Sequence, residues 1–381
     1  MHVTIAREEL LTAVQRVQGI VERRNTMPSL ANVLLEAKPD GLEILATDLE
    51  LGMRGLYKAT VTTPGSVAFP AKKLLDIIRE IREPDIRLTV ADSATVTITA
   101  GRSQFKVVGL PGKEYPPLPA IERTGLIPLP GDGMRQLIRQ TVFAVGDNDT
   151  RYVLNGLLIT IPASAGMTEG GGDAPVIRLV GTDGHRLAVA DHKLDTGNTD
   201  RPDRDIHAII PKKAALTISR LLEESSDEAM IGVTTNMLIF RKSGLVLTSR
   251  LMEGTYPNYQ QVIPKGSKNT IAVSRTDLEG AVRRVSVLSP DRNAAVKLTF
   301  SEKSIALFAS AAELGEAAED IPAECHGEPF STGFNARYLL DVLSVIDGDQ
   351  LILDMDAPLS PCLILERNTP LLKTVVMPVK A

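Results

Sequence analysis

This chain is poor in cysteine, in long apolar runs and in excess positive charge, and each shortage removes a class of protein. Cys325 and Cys362 are the only cysteines. Two are too few for a disulfide framework or a zinc cluster, so a reducing cytoplasm is the expected compartment, with a single Cys325–Cys362 bridge left open. No stretch approaches the roughly 20 apolar residues that a membrane span needs. The opening MHVTIAREELL enters an alternating and then an amphipathic segment, without the basic-then-apolar order of a secretory signal. Catalytic signatures are missing too: there is no GxSxG, no HExxH and no paired metal motif. The glycine-rich EGGGD around Gly170 lacks the GK[ST] ending of a phosphate loop. Neither an enzyme nor a metal or organic cofactor is therefore expected. A net charge of -5 and a pI near 5.7 argue, at first sight, against a nucleic-acid binder.

What the chain has is repetition. PAKKLLDIIREI from Pro70 returns as PKKAALTISRLL from Pro211 and, more loosely, as NARYLLDVLSVI from Asn335. A partner segment recurs as EELLTAVQRV from Glu8, GMRQLIRQTVFAV from Gly133 and DLEGAVRRVSVL from Asp277. From Pro70 onward, Leu74, Leu75, Ile78 and Ile81 fall on one helical face while Lys72, Asp76 and Arg79 line the other, the pattern of a helix packed on a sheet. Around these helices lie segments of period two, such as HVTIA, IRLTVADSATVTITAGRSQFKVVGL and VIRLVGTDGHRLAVADHKL. A PDG turn links two strands in LANVLLEAKPDGLEILATDLELGMRG. Pro116, Pro117 and Pro119 place a linker over residues 112–130, and MTEGGGDAP reads as an exposed loop. The fold class is α+β, with three repeated domains at 1–124, 125–255 and 256–381, each internally doubled into modules of strand, helix and strands. The repeated helices carry a modest positive excess although the chain as a whole is acidic.

Several stretches resemble the bacterial DNA polymerase III beta subunit, the replication sliding clamp: ATDLELGM from Ala46, RYVLNGLL from Arg151, GTDGHRLAVA from Gly181, YPNYQQVIP from Tyr256, FNARYLLDVL from Phe334, and the terminal VVMPVKA. They occur in the family's order over essentially the whole chain. The resemblance implies three clamp-fold domains per chain, with helices lining the inside and antiparallel sheets the outside of a closed homodimeric ring around duplex DNA. Twelve helices at about 8–10 Å spacing give a hole about 30–40 Å across, wide enough for a duplex and a layer of water. Such a ring would give processivity to the replicative polymerase, hold DNA without sequence preference, and have no catalysis of its own.

The resemblance also assigns candidate residues. A pocket for short peptide motifs of the polymerase, the clamp loader and repair polymerases would draw on Leu154, Thr182, Gly184, His185, Arg186 and Leu187. It would add Pro257, Gln261 and Val262, then Asn335, Tyr338 and Leu359, and finally Val375, Val376, Met377, Pro378 and Val379. Gln261 stands where the family often has Arg, and the Val-Lys-Ala ending is less bulky than usual, so ligand preference there is open. For Asp183 and His185 a plain turn between strands, or an acid–base pair, is the alternative. DNA-facing positions are Arg24 and Asn148 on loops, with Lys72, Lys73, Arg79, Arg139, Lys212, Lys213, Arg220 and Arg283 on the helices; ordinary solvated polarity is the competing reading. Opposite charges on RSQFKVV and ELGEAAED suggest head-to-tail pairing of Arg102, Phe105 and Val107 with Val287, Leu288, Glu313 and Glu316 of a second copy, against the plainer reading of solvated edges.

Overall fold

The computed structural model describes residues 1–21, 27–91, 94–118, 125–163, 176–194, 202, 204–288, 295–311, 314–367 and 369–380. Arg24, Glu313 and the glycine-rich stretch at 167–175 lie outside the described residues.

The chain begins with β1 (His2–Ala6), α1 (Arg7–Gln18), β2 (Asn32–Lys38), β3 (Gly41–Thr47), β4 (Leu51–Tyr57) and β5 (Ala59–Thr63). The cycle restarts with β6 (Gly65–Pro70), α2 (Ala71–Glu80), β7 (Asp85–Val90), β8 (Thr95–Ala100), β9 (Ser103–Val108) and the short β10 (Leu110–Pro111). A second pair of modules runs β11 (Ile127–Leu129), α3 (Gly131–Thr141), β12 (Gly156–Ile161), β13 (Val176–Thr182), β14 (Arg186–Lys193), then β15 (Ile206–Pro211), α4 (Lys212–Glu223), β16 (Ala229–Val233), β17 (Met237–Lys242) and β18 (Leu245–Arg250). The third pair is β19 (Asn269–Ser274), α5 (Arg275–Val285), β20 (Ala295–Ser301), β21 (Ser304–Ala311), β22 (Gly315–His326), then β23 (Phe330–Asn335), α6 (Ala336–Leu343), β24 (Gln350–Met355), β25 (Cys362–Glu366) and β26 (Thr369–Val376). Among the described residues, each of the six helices follows one strand and precedes at least three, so the doubled repeat expected from the sequence is present in the fold.

The helices form where the sequence separates apolar from charged faces. On α2, Leu74, Leu75 and Ile78, with Ile81 just beyond, are no more than 3% exposed, while Lys72, Lys73 and Arg79 face solvent. The third copy starts with Asn335 in place of a proline, and the amide oxygen of this residue accepts hydrogen bonds from the N–H groups of Arg337 (2.9 Å) and Tyr338 (3.3 Å), capping α6. Ser274 caps α5 in the same way through Asp277 N–H at 3.2 Å.

The chain packs as two compact units, Met1–Gly131 with Arg220–Leu251, and Asp132–Ser219 with Met252–Ala381. In the first, one antiparallel sheet has the order β5-β1-β7-β8-β9 and a second the order β10-β6-β2-β3-β4-β18-β17-β16-β11. The other unit is built on a single sheet in the order β15-β12-β13-β14-β26-β25-β24-β19-β22-β21-β20-β23. Repeat and packing unit do not coincide: β18 of the middle repeat pairs with β4 of the first, Leu245 opposite Gly55, and β14 pairs with β26 of the third, Arg186 opposite Val376. The proline-rich stretch expected as a linker also holds structure. Tyr115 is buried there, its hydroxyl donating to Asn32 O (3.2 Å) and accepting from Thr47 N–H (3.1 Å), and β11 pairs with β16. Burial pushes the Tyr115 phenol up to about 12, against the smaller opposing effect of the Thr47 amide.

Candidate functional site

The turn between β13 and β14 is held by its own side chains. Thr182 Oγ1 donates to Arg186 O at 2.7 Å and accepts from Gly184 N–H at 3.1 Å. One oxygen of Asp183 accepts the N–H groups of His185 and Arg186, both at 2.9 Å. Gly184 has φ 85°, and a Cβ there would lie 2.7 Å from the Arg151 guanidinium, so both backbone and space favour glycine. The first repeat makes the same turn: Thr47 Oγ1 donates to Leu51 O at 3.0 Å, and Asp48 accepts Glu50 and Leu51 N–H at 3.0 and 2.6 Å. The Thr-Asp pair in ATDLELGM and GTDGHRLAVA is thus a structural signature. His185 is exposed and lies against Tyr338, ring centroids 6.1 Å apart. With Asp183 serving its own turn, no oriented acid–base pair results.

Arg186 converts this turn into a junction with α6. Its guanidinium bonds Asp183 at 3.1 Å and Asp341, and lies 4.6 Å from the ring centre of Tyr338 and 5.4 Å from that of Phe143. The side chain is only 11% exposed, so the charge is held by two carboxylates and two aromatic faces in place of water. Asp341 and Phe143 are not among the candidates read from the sequence, because the first lies in α6 and the second in a short 3-10 turn, both far from Arg186 along the chain. Beside this latch Arg151 bonds Asp149 at 2.8 Å and Asp183 O at 2.8 Å. Its hydrogen bonds hold the Asp149 carboxyl down to about 2.

Under the turn lies an apolar floor of Val180, Leu187, Val189, Leu363 and Val375, covered from the side by Tyr256, Tyr259 and Ile263. Tyr256 O–H donates to Val180 O at 3.2 Å, and burial raises its phenol well above the usual range. The chain end forms one border: Met377 N–H donates to His185 O and Val379 N–H to Gly333 O, each at 2.8 Å. The structure brings His185, Arg186, Leu187, Tyr338, Val375 and Met377 together, while Val379 lies further along the tail beside Gly333. Leu154, Thr182, Asn335 and Val376 are buried supports, while Pro257, Gln261, Val262 and Leu359 are exposed and Pro378 half-buried.

The helix cations divide. Lys72, Lys73 and Arg79 are exposed and make no ion pair among the described residues. Arg139 grips both Asp347 oxygens at 2.8 and 2.7 Å, Lys212 bonds Asp147 at 2.8 Å, Arg283 bonds Glu279 at 2.6 Å, and Arg220 donates to Arg16 O at 3.1 Å. Lys213 is half-buried and Asn148 exposed, the latter in a left-handed conformation with φ 60°. At the two strand edges Arg102 and Glu316 are exposed, Phe105, Val107 and Leu288 half-buried, and Val287 76% exposed.

Three family models cover the chain in order: the N-terminal domain of the DNA polymerase III beta subunit over residues 1–119, its central domain over 128–258 and its C-terminal domain over 260–380. The chain is 34% identical to the beta sliding clamp of Caulobacter vibrioides and 29% identical to that of Bacillus subtilis, both chains covered in full. The crystal structure of the polymerase III beta subunit of Pseudomonas aeruginosa matches all of both chains with a TM-score of 0.89 at 32% identity. The sliding clamp of Bartonella birtlesii, solved bound to griselimycin, also matches in full, with a TM-score of 0.91 at 33% identity. With three clamp domains in order and relatives above 30% identity matched from end to end, this chain belongs to the DNA polymerase III beta subunit family, the bacterial sliding clamps, which are non-catalytic processivity factors of DNA replication.

Proposed function

We propose that the chain works as a cytoplasmic homodimer, closed head to tail into a ring around duplex DNA, that tethers the replicative polymerase and is opened by an ATP-driven loader. The observation that carries this reading is a pair of unfinished strand edges. Among the described residues β9 hydrogen-bonds only β8, which leaves its outer edge open. Among the described residues, 315–322 of β22 pair with β21 on one side alone, because β19 meets β22 only at Ala323–His326. Basic Arg102 and Lys106 belong to the first edge, and acidic Glu316, Glu319 and Asp320 to the second. A two-fold symmetric dimer that joins the two edges would cover both of them at two equivalent places. Glu319 already bonds Arg284 at 2.5 Å, so Glu316 and Asp320 are the freer acidic partners.

The pairing of Arg139, Lys212 and Arg283 with nearby carboxylates supports a loose electrostatic hold on DNA. Weak phosphate contact suits a protein retained by topology, since each further contact would slow sliding and carry no sequence information. Short peptide segments of the polymerase, the loader and repair polymerases would dock where Leu187 and Val375 floor the site and His185, Arg186 and Met377 border it. The Bartonella birtlesii structure with griselimycin is in keeping with a ligand site on this fold.

The test is to load the protein onto a nicked DNA circle and then cut the circle. Complexes on circles should survive a rise from 50 to 200 mM salt, which weakens ordinary binders with six to ten phosphate contacts by about 10³–10⁵. Linearisation should release them; equal retention on linear and circular DNA would overturn the ring.

A further inference from the structure

Past Met377 the tail borders a groove of about 330 Å³, lined by Lys297 and Thr332, by Pro358 and Leu359, and by Val379 and Lys380. We propose that this groove receives Asp or Glu side chains flanking the apolar anchors of a docked partner peptide, so that the site selects motifs with an acidic flank. The inference rests on the peptide-site reading and adds the chemistry of the residues beside the motif.

Its walls are fixed. Val379 N–H is bonded to Gly333 O, and Thr332 Oγ1 donates to Pro358 O at 2.5 Å, holding the turn that carries Leu359. Leu359 is 66% exposed, an apolar surface that no described residue covers. Among the described lining residues the ionised groups are two ammoniums. Lys297 stands on β20 opposite Gly333, and Lys380 follows Val379. Both are exposed and make no ion pair among the described residues, and none of the described lining residues carries a carboxylate. Two unpaired cations facing an apolar wall leave a local positive potential that a flexible anionic chain would relieve. The tail links the groove to the pocket: Val379, which lines the groove, lies two residues beyond Met377, about 7 Å along an extended chain. A peptide that seats its anchors against Leu187 and Met377 and continues along the tail places its next residues between Lys297 and Lys380.

The experiment measures fluorescence polarisation of capped, C-terminally amidated peptides carrying Gln, Leu and Phe anchors, flanked on either side by two Asp, two Asn or two Lys. Amidation removes the terminal carboxylate as a competing source of charge. On the full-length protein one Asp-flanked peptide should bind about two- to tenfold more tightly than its Asn-flanked counterpart, the scale of one or two exposed ion pairs. That advantage should shrink in 0.5 M salt and vanish in Lys297→Glu/Lys380→Glu, while the Asn-flanked peptide binds wild type and variant alike. Equal binding of Asp and Asn flanks overturns the acidic preference and leaves the pocket standing. If no peptide binds, the pocket fails and this inference with it. If the double variant keeps its Asp preference but loses retention of a short DNA duplex, the groove faces nucleic acid and the proposal is wrong.

Discussion

At the scale of single residues, Arg186 concentrates the most interaction. Its removal strips Asp183 of its ion pair and leaves Asp341, among the described residues, only the longer 3.9 Å contact with Arg337; taking away the partner of a fully buried charge typically costs about 3–5 kcal/mol. Because Asp341 keeps some access to water, Arg186→Ala is expected to lower unfolding stability by about 2–3 kcal/mol in urea titrations. Arg186→Lys should recover less than half, since a single ammonium cannot span two carboxylates and stack on Tyr338 as well. Asp149 gives a sharper reading. Its folded pKa of about 2 lies below the ordinary 3.8, so its contribution to stability is fully present above about pH 4 and is lost as pH falls toward 2. A carboxyl carbon titration should place its midpoint near 2 in the wild type and near 4 in Arg151→Ala. A wild-type midpoint near 4 would refute the ion pair in solution.

Among elements, α4 depends on a cation from a neighbouring strand. Lys242 of β17 is buried, and its ammonium donates at 2.8 Å to Leu221 O, in the last turn of α4, and at 2.6 Å to Ser225 O, just past the helix end. Lys242→Met keeps the stem and removes these bonds, so a loss of about 1.5–3 kcal/mol is expected in thermal or chemical unfolding, with faster amide exchange around Leu221–Ser225. An unchanged exchange pattern would show the cap to be dispensable. The chain end behaves as a strand extension. Deleting Met377–Ala381 removes the Met377 N–H and Val379 N–H hydrogen bonds and one border of the pocket. Peptide binding should weaken by at least about 2 kcal/mol, the scale of a hot-spot loss, in calorimetry on a protein that stays folded.

For the whole molecule, assembly is the property to test. If opposite charges align β9 with β22 of a second copy, Glu316→Lys should weaken the dimer by about 0.5–2 kcal/mol for two symmetric sites, and Glu316→Lys with Arg102→Glu should restore part of the loss. Light scattering at micromolar concentration reads this directly. A wild-type mass near the 41.1 kDa of one chain would rule out the closed dimer.

Much of this protein was legible in the linear order of its residues. The stripe of Leu74, Leu75, Ile78 and Ile81, the PDG turn, and the alternation in VIRLVGTDGHRLAVADHKL each depend on neighbours within a few positions, where the periods of helix and strand dictate which side chains share a face. That local logic, repeated three times, set the module and its order. Tertiary structure alone decided how the modules join and which charges remain free. Strand pairing obeys hydrogen-bond register between distant segments, so nothing in the residues around Arg186 announces Val376 as its partner or Asp341 as its counter-ion. The same holds for Arg139 and Asp347, 208 positions apart. A basic helix face in the sequence counts charges, while packing determines which of them are already neutralised by a carboxylate from elsewhere in the chain.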